Sequence, residues 1–293
     1  MVKENDFKVI AASVLKKLSG RSRDVIERRF GIGPRSKRQT LESIGHPYKI
    51  TRERVRQIEA ASLNKIRESA SFETITAAMD TIRKEIERRG GVWKEGDLLG
   101  EYSADSAAQN CIHFLLTLGA PFVRVSGDED CHHHWCVDET VSRKAREALR
   151  SFSNTLDETL LSEEEVAKQF GDHAAAAISR PLGRDAVFSW LAVSKLIRRN
   201  PFGEWGLASS PLVHPRGMRD YAYLVLKKHG SPLHFRETAK AIEAMVGRPA
   251  HVQTVHNELI KDERFILVGR GLYALSTWGY QPGIVRDIIA SVL

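Results

Sequence analysis

The stretch Thr40-Leu-Glu-Ser-Ile-Gly-His-Pro-Tyr-Lys-Ile-Thr-Arg-Glu-Arg-Val-Arg-Gln-Ile-Glu59 decides how the start of this chain folds. Leu41 and Ile44 give a short first helix one apolar side, and Thr51 is a good N-cap for a second helix that begins at Arg52. At about 100° per residue, the second helix has two different sides. Its apolar side is formed by Val55, Ile58 and Ser62. Its polar side is formed by Arg52, Glu53, Arg56 and Gln57.

The polar side of this second helix carries side chains that suit base edges in DNA. Arginine can bind O6 and N7 of guanine, glutamine can bind N6 and N7 of adenine, and glutamate can accept from N4 of cytosine. A recognition helix presents the side chains of its N-terminal half to the major groove. The alternative is a solvated face on which the charged side chains form i,i+4 pairs. The residues alone leave both interpretations open.

Positive charge is concentrated at the two ends of the chain, which has 293 residues and a formal net charge of +7. Residues 1–70 contain 17 Lys+Arg and 8 Asp+Glu, residues 71–215 contain 16 and 22, and residues 216–280 contain 10 and 6. Basic segments attract polyanions, because phosphate contacts release counterions from DNA. We therefore expect further DNA contacts in the basic loop of residues 35–38, at Arg35, Lys37 and Arg38, and beside the recognition helix, at Lys49, Thr51 and Arg54.

The periodicity along the rest of the chain predicts a mainly α protein with four domains. Residues 1–70 form a helix-turn-helix domain, and residues 71–139, 140–210 and 216–280 each read as a winged-helix-like domain with a small β-wing. Residues 209–215, with two prolines, are the best linker candidate. Within these domains we expect Asp6 to be the N-cap of the first helix and a helix to cover residues 185–198.

Three segments of the first domain carry a resemblance to a known family. They are Leu18-Ser-Gly-Arg-Ser-Arg-Asp-Val-Ile-Glu-Arg-Arg-Phe-Gly31, Thr40-Leu-Glu-Ser-Ile-Gly45, and Thr51-Arg-Glu-Arg-Val-Arg-Gln-Ile-Glu59 with Leu63-Asn-Lys-Ile-Arg67. With their spacing intact, they resemble region 4 of housekeeping-type bacterial sigma factors. The resemblance implies that Arg52, Glu53, Arg56 and Gln57 read the −35 promoter element. It also implies docking on the flap of the RNA polymerase β subunit.

Two positions and one region depart from the sigma pattern. Pro47 stands where the family usually continues its first motif helix, and proline removes a backbone donor there. Lys49 stands where the family usually has a turn glycine, and a left-handed backbone is unfavourable for any other residue. We find no counterpart of the sigma segments that read and melt the −10 element. This chain alone is therefore not expected to open a promoter.

The last domain, residues 219–280, resembles the HARE helix-turn-helix family, a winged-helix type also found in the δ subunit of some bacterial RNA polymerases. The resemblance rests on Pro232-Leu-His-Phe-Arg-Glu237, Val255-His-Asn-Glu-Leu-Ile260 and Arg264-Phe-Ile-Leu-Val-Gly-Arg-Gly-Leu-Tyr-Ala-Leu-Ser-Thr-Trp278. Arg270 falls at the tip of the predicted wing, where an arginine can contact phosphate or a minor groove. The alternative is that this domain binds protein.

The histidine-rich segment Cys131-His-His-His-Trp-Cys136 invites a zinc interpretation. Its spacing matches no standard zinc site, and the acidic residues beside it favour a solvated hairpin tip, so we expect no metal and no cofactor. The chain has no phosphate-binding glycine-rich loop and no serine-elbow motif, so we expect no enzyme activity and no small-molecule substrate. Three cysteines without disulfide spacing, no signal-peptide pattern and no long apolar run favour a cytoplasmic protein without a membrane partner.

These observations predict a transcription regulator that binds double-stranded promoter DNA and contacts RNA polymerase. The first alternative is a polymerase-associated interaction protein, similar to the δ subunit, that binds DNA only without sequence preference. The acidic middle of the chain favours this alternative slightly, because it repels phosphate. The second alternative is an accessory of a nuclease or modification system, which no catalytic motif in the chain supports.

Overall fold

The computed structural model describes residues 4–33, 37–69, 72–119, 121–157 and 159–280. They form two compact units, one from the described parts of Met1–Phe152 with Ala167–Lys195 and one from those of Ser153–Val166 with Leu196–Leu293. Across the described residues there are thirteen α-helices and eight strands of at most five residues. The predicted mainly α fold class is therefore confirmed.

The first unit begins with the helices that the motif predicts. α1 covers Glu4–Leu15, α2 covers Gly20–Phe30, α3 covers Leu41–Gly45 and α4 covers Arg52–Arg67. A 3₁₀ turn, His46–Tyr48, stands between α3 and α4. The unit continues with α5 Phe72–Arg88, β1 Val92–Lys94, α6 Glu95–Tyr102, α7 Ser106–Leu118, β2 Val123–Val125 and β3 His134–Cys136. It is completed by α8 Glu139–Thr155, α9 Glu163–Ile178 and α10 Arg184–Val193. The last residues of α8, from Ser153, and the first residues of α9, up to Val166, belong to the second unit.

One apolar core joins the helix-turn-helix region to the helices that follow it. The apolar faces of α1, α2 and the end of α4 pack against α5 and α7, and Phe30 meets Phe114 with ring centroids 5.1 Å apart. α7 is buried on nearly all sides, as its apolar sequence requires. Beside this core, β3 lies between β1 and β2 in an antiparallel sheet. Residues 4–67 therefore do not stand as a separate body.

The second unit contains a hairpin and a small helical domain. β4 Ile197–Arg199 pairs with β5 Trp205–Leu207. The domain consists of α11 Met218–His229, β6 Leu233–His234, α12 Phe235–Val246, α13 Val252–Lys261, β7 Phe265–Gly269 and β8 Leu272–Leu275. Its three helices and the sheet β6-β8-β7 enclose a core of their own.

Two local predictions are wrong for identifiable reasons. Asp6 lies inside α1, which begins at Glu4, so it is not the N-cap. The helix predicted over residues 185–198 ends at Val193, and Ile197 begins a strand. It ends there because the backbone turns to pair with another segment, with His132 N donating to Val193 O at 2.8 Å. Among the described residues no helix is long and apolar enough to cross a membrane.

Candidate nucleic-acid interface

The helix-turn-helix step is built by two threonine caps and a strained turn. Thr40 Oγ1 accepts a hydrogen bond from Ser43 N, and Thr51 Oγ1 accepts one from Arg54 N, both at 3.2 Å. The predicted N-cap at Thr51 is thus confirmed. α3 stops before Pro47, and Lys49 adopts the left-handed conformation with φ 53° and ψ 40°. The turn therefore keeps the backbone that a glycine would adopt, but with a lysine in that position.

The inner side of α4 anchors the helix to α2 and α3. Val55 packs with Val25 and Ile44 in a small, fully buried cluster. Ile58 packs at the edge of this cluster, and Ser62 Oγ donates to the carbonyl of Ile58 at 2.6 Å. The side of α4 with Val55, Ile58 and Ser62, which was predicted to face inward, therefore faces the body of the domain.

The outer side of α4 is open to solvent. Arg52, Glu53, Arg54, Arg56 and Gln57 are all exposed. Glu53 and Arg56 form a two-pronged ion pair at 2.7 and 2.9 Å, although their side chains remain 58% and 62% exposed. Arg54 Nη1 donates to Gln57 Oε1 at 3.0 Å. The Arg56 guanidinium holds the pKa of the Glu53 carboxyl below its usual range, so both groups are charged at neutral pH.

These contacts within the helix are i,i+3 pairs, and the structure presents them as a solvated face. Exposed pairs of this kind contribute little to stability, because solvent screens them. The side chains can therefore exchange these partners for base edges at small cost. Both interpretations of the polar side made from the sequence are compatible with this geometry.

The predicted basic contacts around α4 are only partly brought together. Lys37 and Lys49 are exposed, and Arg35 lies outside the described residues. Arg38 points toward α7, where its Nε donates to Asn110 Oδ1 at 2.8 Å. Arg270 belongs to the other compact unit, at the turn between β7 and β8, and is exposed.

Two residues that the sequence analysis did not single out connect the helix-turn-helix to α7. Asn110 is buried in α7, and besides accepting from Arg38 its Nδ2 donates to the carbonyl of Gly31 at 3.1 Å. At the other end of α7, Arg67 donates to the carbonyls of Thr117 and Leu118 at 2.9 and 3.1 Å. The sequence signal for this connection was the single asparagine in the apolar stretch of α7. The partners, at sequence separations of 50 to 79 residues, were not predictable from local pattern.

The histidine-rich segment does not gather into a metal centre. His134 Nε2 lies 2.8 Å from Ser142 Oγ, and His133 Nδ1 accepts from Gly127 N at 2.8 Å. Cys131 and Cys136 are buried free thiols, and burial raises the pKa of each. In the described part of the chain, no three His, Cys, Asp or Glu side chains are placed to hold a metal ion.

Comparison with known proteins assigns the first domain. Residues 14–68 match the family Sigma-70, region 4. The RNA polymerase sigma factor RpoD of Helicobacter pylori is 42% identical over 66 residues, which are 22% of this chain and 10% of that protein. SigA of a Nostoc species is 44% identical over 66 residues, 22% of this chain and 17% of that protein. SigA1 of Synechococcus elongatus is 50% identical over 54 residues, 18% of this chain and 13% of that protein.

The similarity is thus confined to a small part of this chain and of each relative. The chain spans less than a fifth of the length of these curated relatives. No solved structure matches the chain. The predicted resemblance to sigma region 4 is confirmed for residues 14–68, whereas these comparisons do not support the predicted HARE-type domain at the C-terminal end.

Proposed function

We propose that this chain is a transcription regulator that binds promoter DNA through α4 and contacts RNA polymerase. The observation that carries the proposal is the outer side of α4, where Arg52, Glu53, Arg56 and Gln57 stand exposed in a domain similar to sigma region 4. In this proposal these four side chains read a −35-like element from the major groove. The mechanism is binding and positioning, without catalysis or a cofactor.

A second group of side chains supplies phosphate contacts in this proposal. These are Lys37, Lys49, Thr51 and Arg54, together with Arg35 and Arg38 from the basic loop. Phosphate contacts fix the register of the protein on the duplex, but they carry no sequence information. Changing one of them weakens binding to every duplex, whereas changing Arg56 alters the preferred sequence.

The test is selection from a pool of randomised duplexes with the full chain. Wild type enriches a motif, and Arg56→Ala loses the preference at one base pair of it. Arg248→Ala is the matched control, because Arg248 is an exposed arginine of the other compact unit, and it enriches the wild-type motif. If wild type enriches no motif, or Arg56→Ala enriches the same one, sequence reading by α4 is rejected.

The proposed protein partner is core RNA polymerase, with the β flap as the contact, because the similar proteins are RNA polymerase sigma factors. The contact would use surfaces other than the main apolar face of the domain, because that face lies in the shared core with α5 and α7. We propose that the chain positions polymerase and does not open the promoter itself, since no promoter-melting segment was recognised. Such a partner implies a cytoplasmic location.

A second candidate function follows from the surface of the C-terminal domain. We propose residues 71–139, 140–210 and 216–280 as winged-helix-like domains, the last of HARE type. In that last domain, Ile260 of α13 and Leu267 of β7 are exposed and line a largely apolar groove with Phe235 and Tyr273, which Arg236 and Arg270 also line. An apolar groove suits protein better than DNA. It favours the candidate in which the chain is a polymerase-associated interaction factor with non-specific DNA binding, and in which Arg270 does not contact DNA.

Binding to purified core polymerase separates the two candidates. The regulator requires both polymerase binding and a sequence preference on DNA. The interaction factor binds polymerase with equal affinity whether or not Arg56 is replaced, and discriminates no duplex from another. Loss of polymerase binding in Ile260→Glu with full binding in Val9→Glu, another exposed apolar residue, would assign the contact to the C-terminal groove.

A further inference from the structure

A cavity of about 510 Å³, open to solvent, lies in the first unit behind the helix-turn-helix. Its walls come from α2, α4 and the segment after α2 on one side, and from α7, β2 and β3 on the other. This volume lies within the range of about 300–1,000 Å³ that is typical of small-ligand sites. The cavity is therefore large enough for a small organic molecule that would touch both halves of the unit.

Three arginines line this cavity, and in the part of the chain that the structure describes Arg38 is the one with no hydrogen bond to a carboxylate, although the charge of Glu95 acts on it. Arg29 Nε donates to Glu59 at 3.4 Å, and Arg124 Nη2 donates to Glu95 at 2.9 Å. Arg38 has instead the neutral amide of Asn110 on its Nε. Within the described residues its two terminal nitrogens have no recorded hydrogen-bond partner, so the planar end of Arg38 is available. Such an end binds carboxylate or phosphate through two parallel hydrogen bonds.

Aromatic rings form much of the remaining wall. Phe30, Phe122 and Trp135 line the cavity together with His113. Burial, followed by the positive charge of Arg38, lowers the pKa of His113 to about 3, so its ring is neutral at physiological pH. His113 Nδ1 and Trp135 Nε1 are two of the three buried side-chain polar atoms in the described residues that lack a hydrogen-bond partner. Buried groups of this kind are normally satisfied by protein, water or ligand.

We infer that this cavity binds a small aromatic anion, whose carboxylate or phosphate is held by Arg38 and whose ring lies among Phe122, Trp135 and His113. Since Arg29 and Arg124 are each already paired with a glutamate, the anion would pair with Arg38, and its ring would cover the apolar wall of the cavity. Binding does not require DNA. Its regulatory consequence does rest on the proposed function, since a bound anion would withdraw Arg38 from DNA phosphate and connect the helix-turn-helix more firmly to α7.

The test is isothermal titration calorimetry of the full chain, without DNA, using phenyl phosphate and benzoate as probes. We expect saturable one-site binding of at least one of them, and which one binds more tightly distinguishes a phosphate ligand from a carboxylate ligand. Inorganic phosphate and the neutral benzyl alcohol should bind at least about tenfold more weakly, because each lacks one half of the recognition. No saturable binding by either aromatic anion, or equal binding of benzyl alcohol, overturns the inference.

Three variants locate the site. Arg38→Gln removes the guanidinium and should weaken the better probe by at least about tenfold. Thr117→Trp places a large side chain at the cavity wall, where Thr117 lies one helical turn from His113 of α7, and should abolish binding. Val125→Trp is the control, since Val125 lies on the face of β2 opposite to Arg124 and does not line this cavity, and it should bind like wild type. A thermal melt confirms that each variant is folded.

The inference is overturned if Arg38→Gln binds like wild type or if the two tryptophan variants lose binding equally. Its outcome is independent of the proposed function. A chain that binds phenyl phosphate but no duplex contradicts only the DNA proposal, and a chain that reads DNA but binds neither probe contradicts only the ligand proposal.

Discussion

The chain contains two pairs of helices joined by a short connection, the first step of α3 and α4 and the second step of α12 and α13, and the exposed sides of their second helices differ. In the first step, α4 presents Arg52, Glu53, Arg56 and Gln57 to solvent. In the second step, α13 presents the apolar Val252 and Ile260, which are 40% and 63% exposed, among exposed polar residues. Under the proposals made above, α4 suits base edges and the groove at Ile260 suits a protein partner, because side chains and not helix placement decide what a helix can recognise.

The two steps also differ in the apolar cores against which their second helices pack. α13 packs into a core formed within residues 202–278. The N-terminal half of α4 packs on the small cluster around Val55, whereas Leu63 and Ile66 at its other end belong to the core shared with α5 and α7. The first step therefore depends on α7, which begins at Ser106, 39 residues after α4 ends at Arg67, whereas the second depends on its neighbours.

The sharpest test of this difference uses two glycines with the same backbone conformation. Gly31 and Gly247 end α2 and α12 with φ 67° and 68°. A Cβ on Gly247 would meet nothing within 4 Å, whereas one on Gly31 would lie 2.7 Å from Asn110 Nδ2 and 2.9 Å from Arg38 N. We expect Gly247→Ala to lower the free energy of unfolding by about 1 kcal/mol, from backbone strain alone. Gly31→Ala adds overpacking, for a total of about 2–4 kcal/mol.

Urea unfolding followed by circular dichroism measures both glycine variants. Equal losses would mean that the loop after α2 moves away from α7 without penalty. In that case the connection through Asn110 does not hold the first helix-turn-helix step.

The second test compares the outer faces on DNA. Arg56→Ala should weaken binding to the preferred duplex by between about 5-fold and 150-fold, the effect of one two-pronged arginine contact to guanine. Lys261→Ala removes a cation from the last turn of α13 and should change the affinity by less than about threefold. Fluorescence anisotropy at one fixed salt concentration gives both dissociation constants. A larger loss in Lys261→Ala would reverse the assignment of the two faces.

The sequence predicted α4 correctly because the residues that determine this helix lie close together in the chain. The cap at Thr51, the inward side of Val55 and the left-handed turn at Lys49 all follow from residues within one motif. The separation of polar and apolar sides was likewise correct, since helical periodicity alone determines it. The mainly α fold class follows from the same periodicity repeated along the chain.

Contacts between distant segments could not be predicted in this way. The helix over 185–198 had a sound periodicity, but pairing of Val193 with His132 ends it at Val193. Arg38 was predicted only as a DNA-contacting residue of the basic loop, and although it is exposed, its Nε donates to Asn110 of α7. In both cases the deciding partner lies more than 60 residues away, and no local pattern encodes it.

The third test compares the N-caps of α4 and α13. Thr51 caps α4 through its hydroxyl, whereas His251 at the start of α13 makes no side-chain cap. Thr51→Ala should lower the free energy of unfolding by about 1 kcal/mol, because one backbone donor of the first turn loses its partner. His251→Ala should leave it unchanged within the error of the urea titration. A loss for His251→Ala equal to that for Thr51→Ala would show that these caps do not distinguish the helices.

The variant with the smallest expected effect, Lys49→Gly, makes the turn of the first step resemble that of the second, which has Gly247 at its left-handed position. At Lys49 a side chain occupies that conformation, which is unfavourable by about 1–2 kcal/mol relative to glycine, while glycine loses about 0.5–1 kcal/mol through its freer unfolded chain. Lys49→Gly should therefore raise the free energy of unfolding by about 0.5 kcal/mol.

Lys49→Ala is the control, because it removes the charge but keeps the left-handed Cβ, so it should bring no gain in stability. If the proposed phosphate contact of Lys49 exists, both variants weaken binding to all duplexes equally, since both lack the ammonium group. A stability gain shared by Lys49→Ala would trace the effect to relief of charge repulsion in the basic N-terminal region. The lysine would then be unfavourable for its charge and not for its backbone, and the two turns would be equivalent in conformational energy.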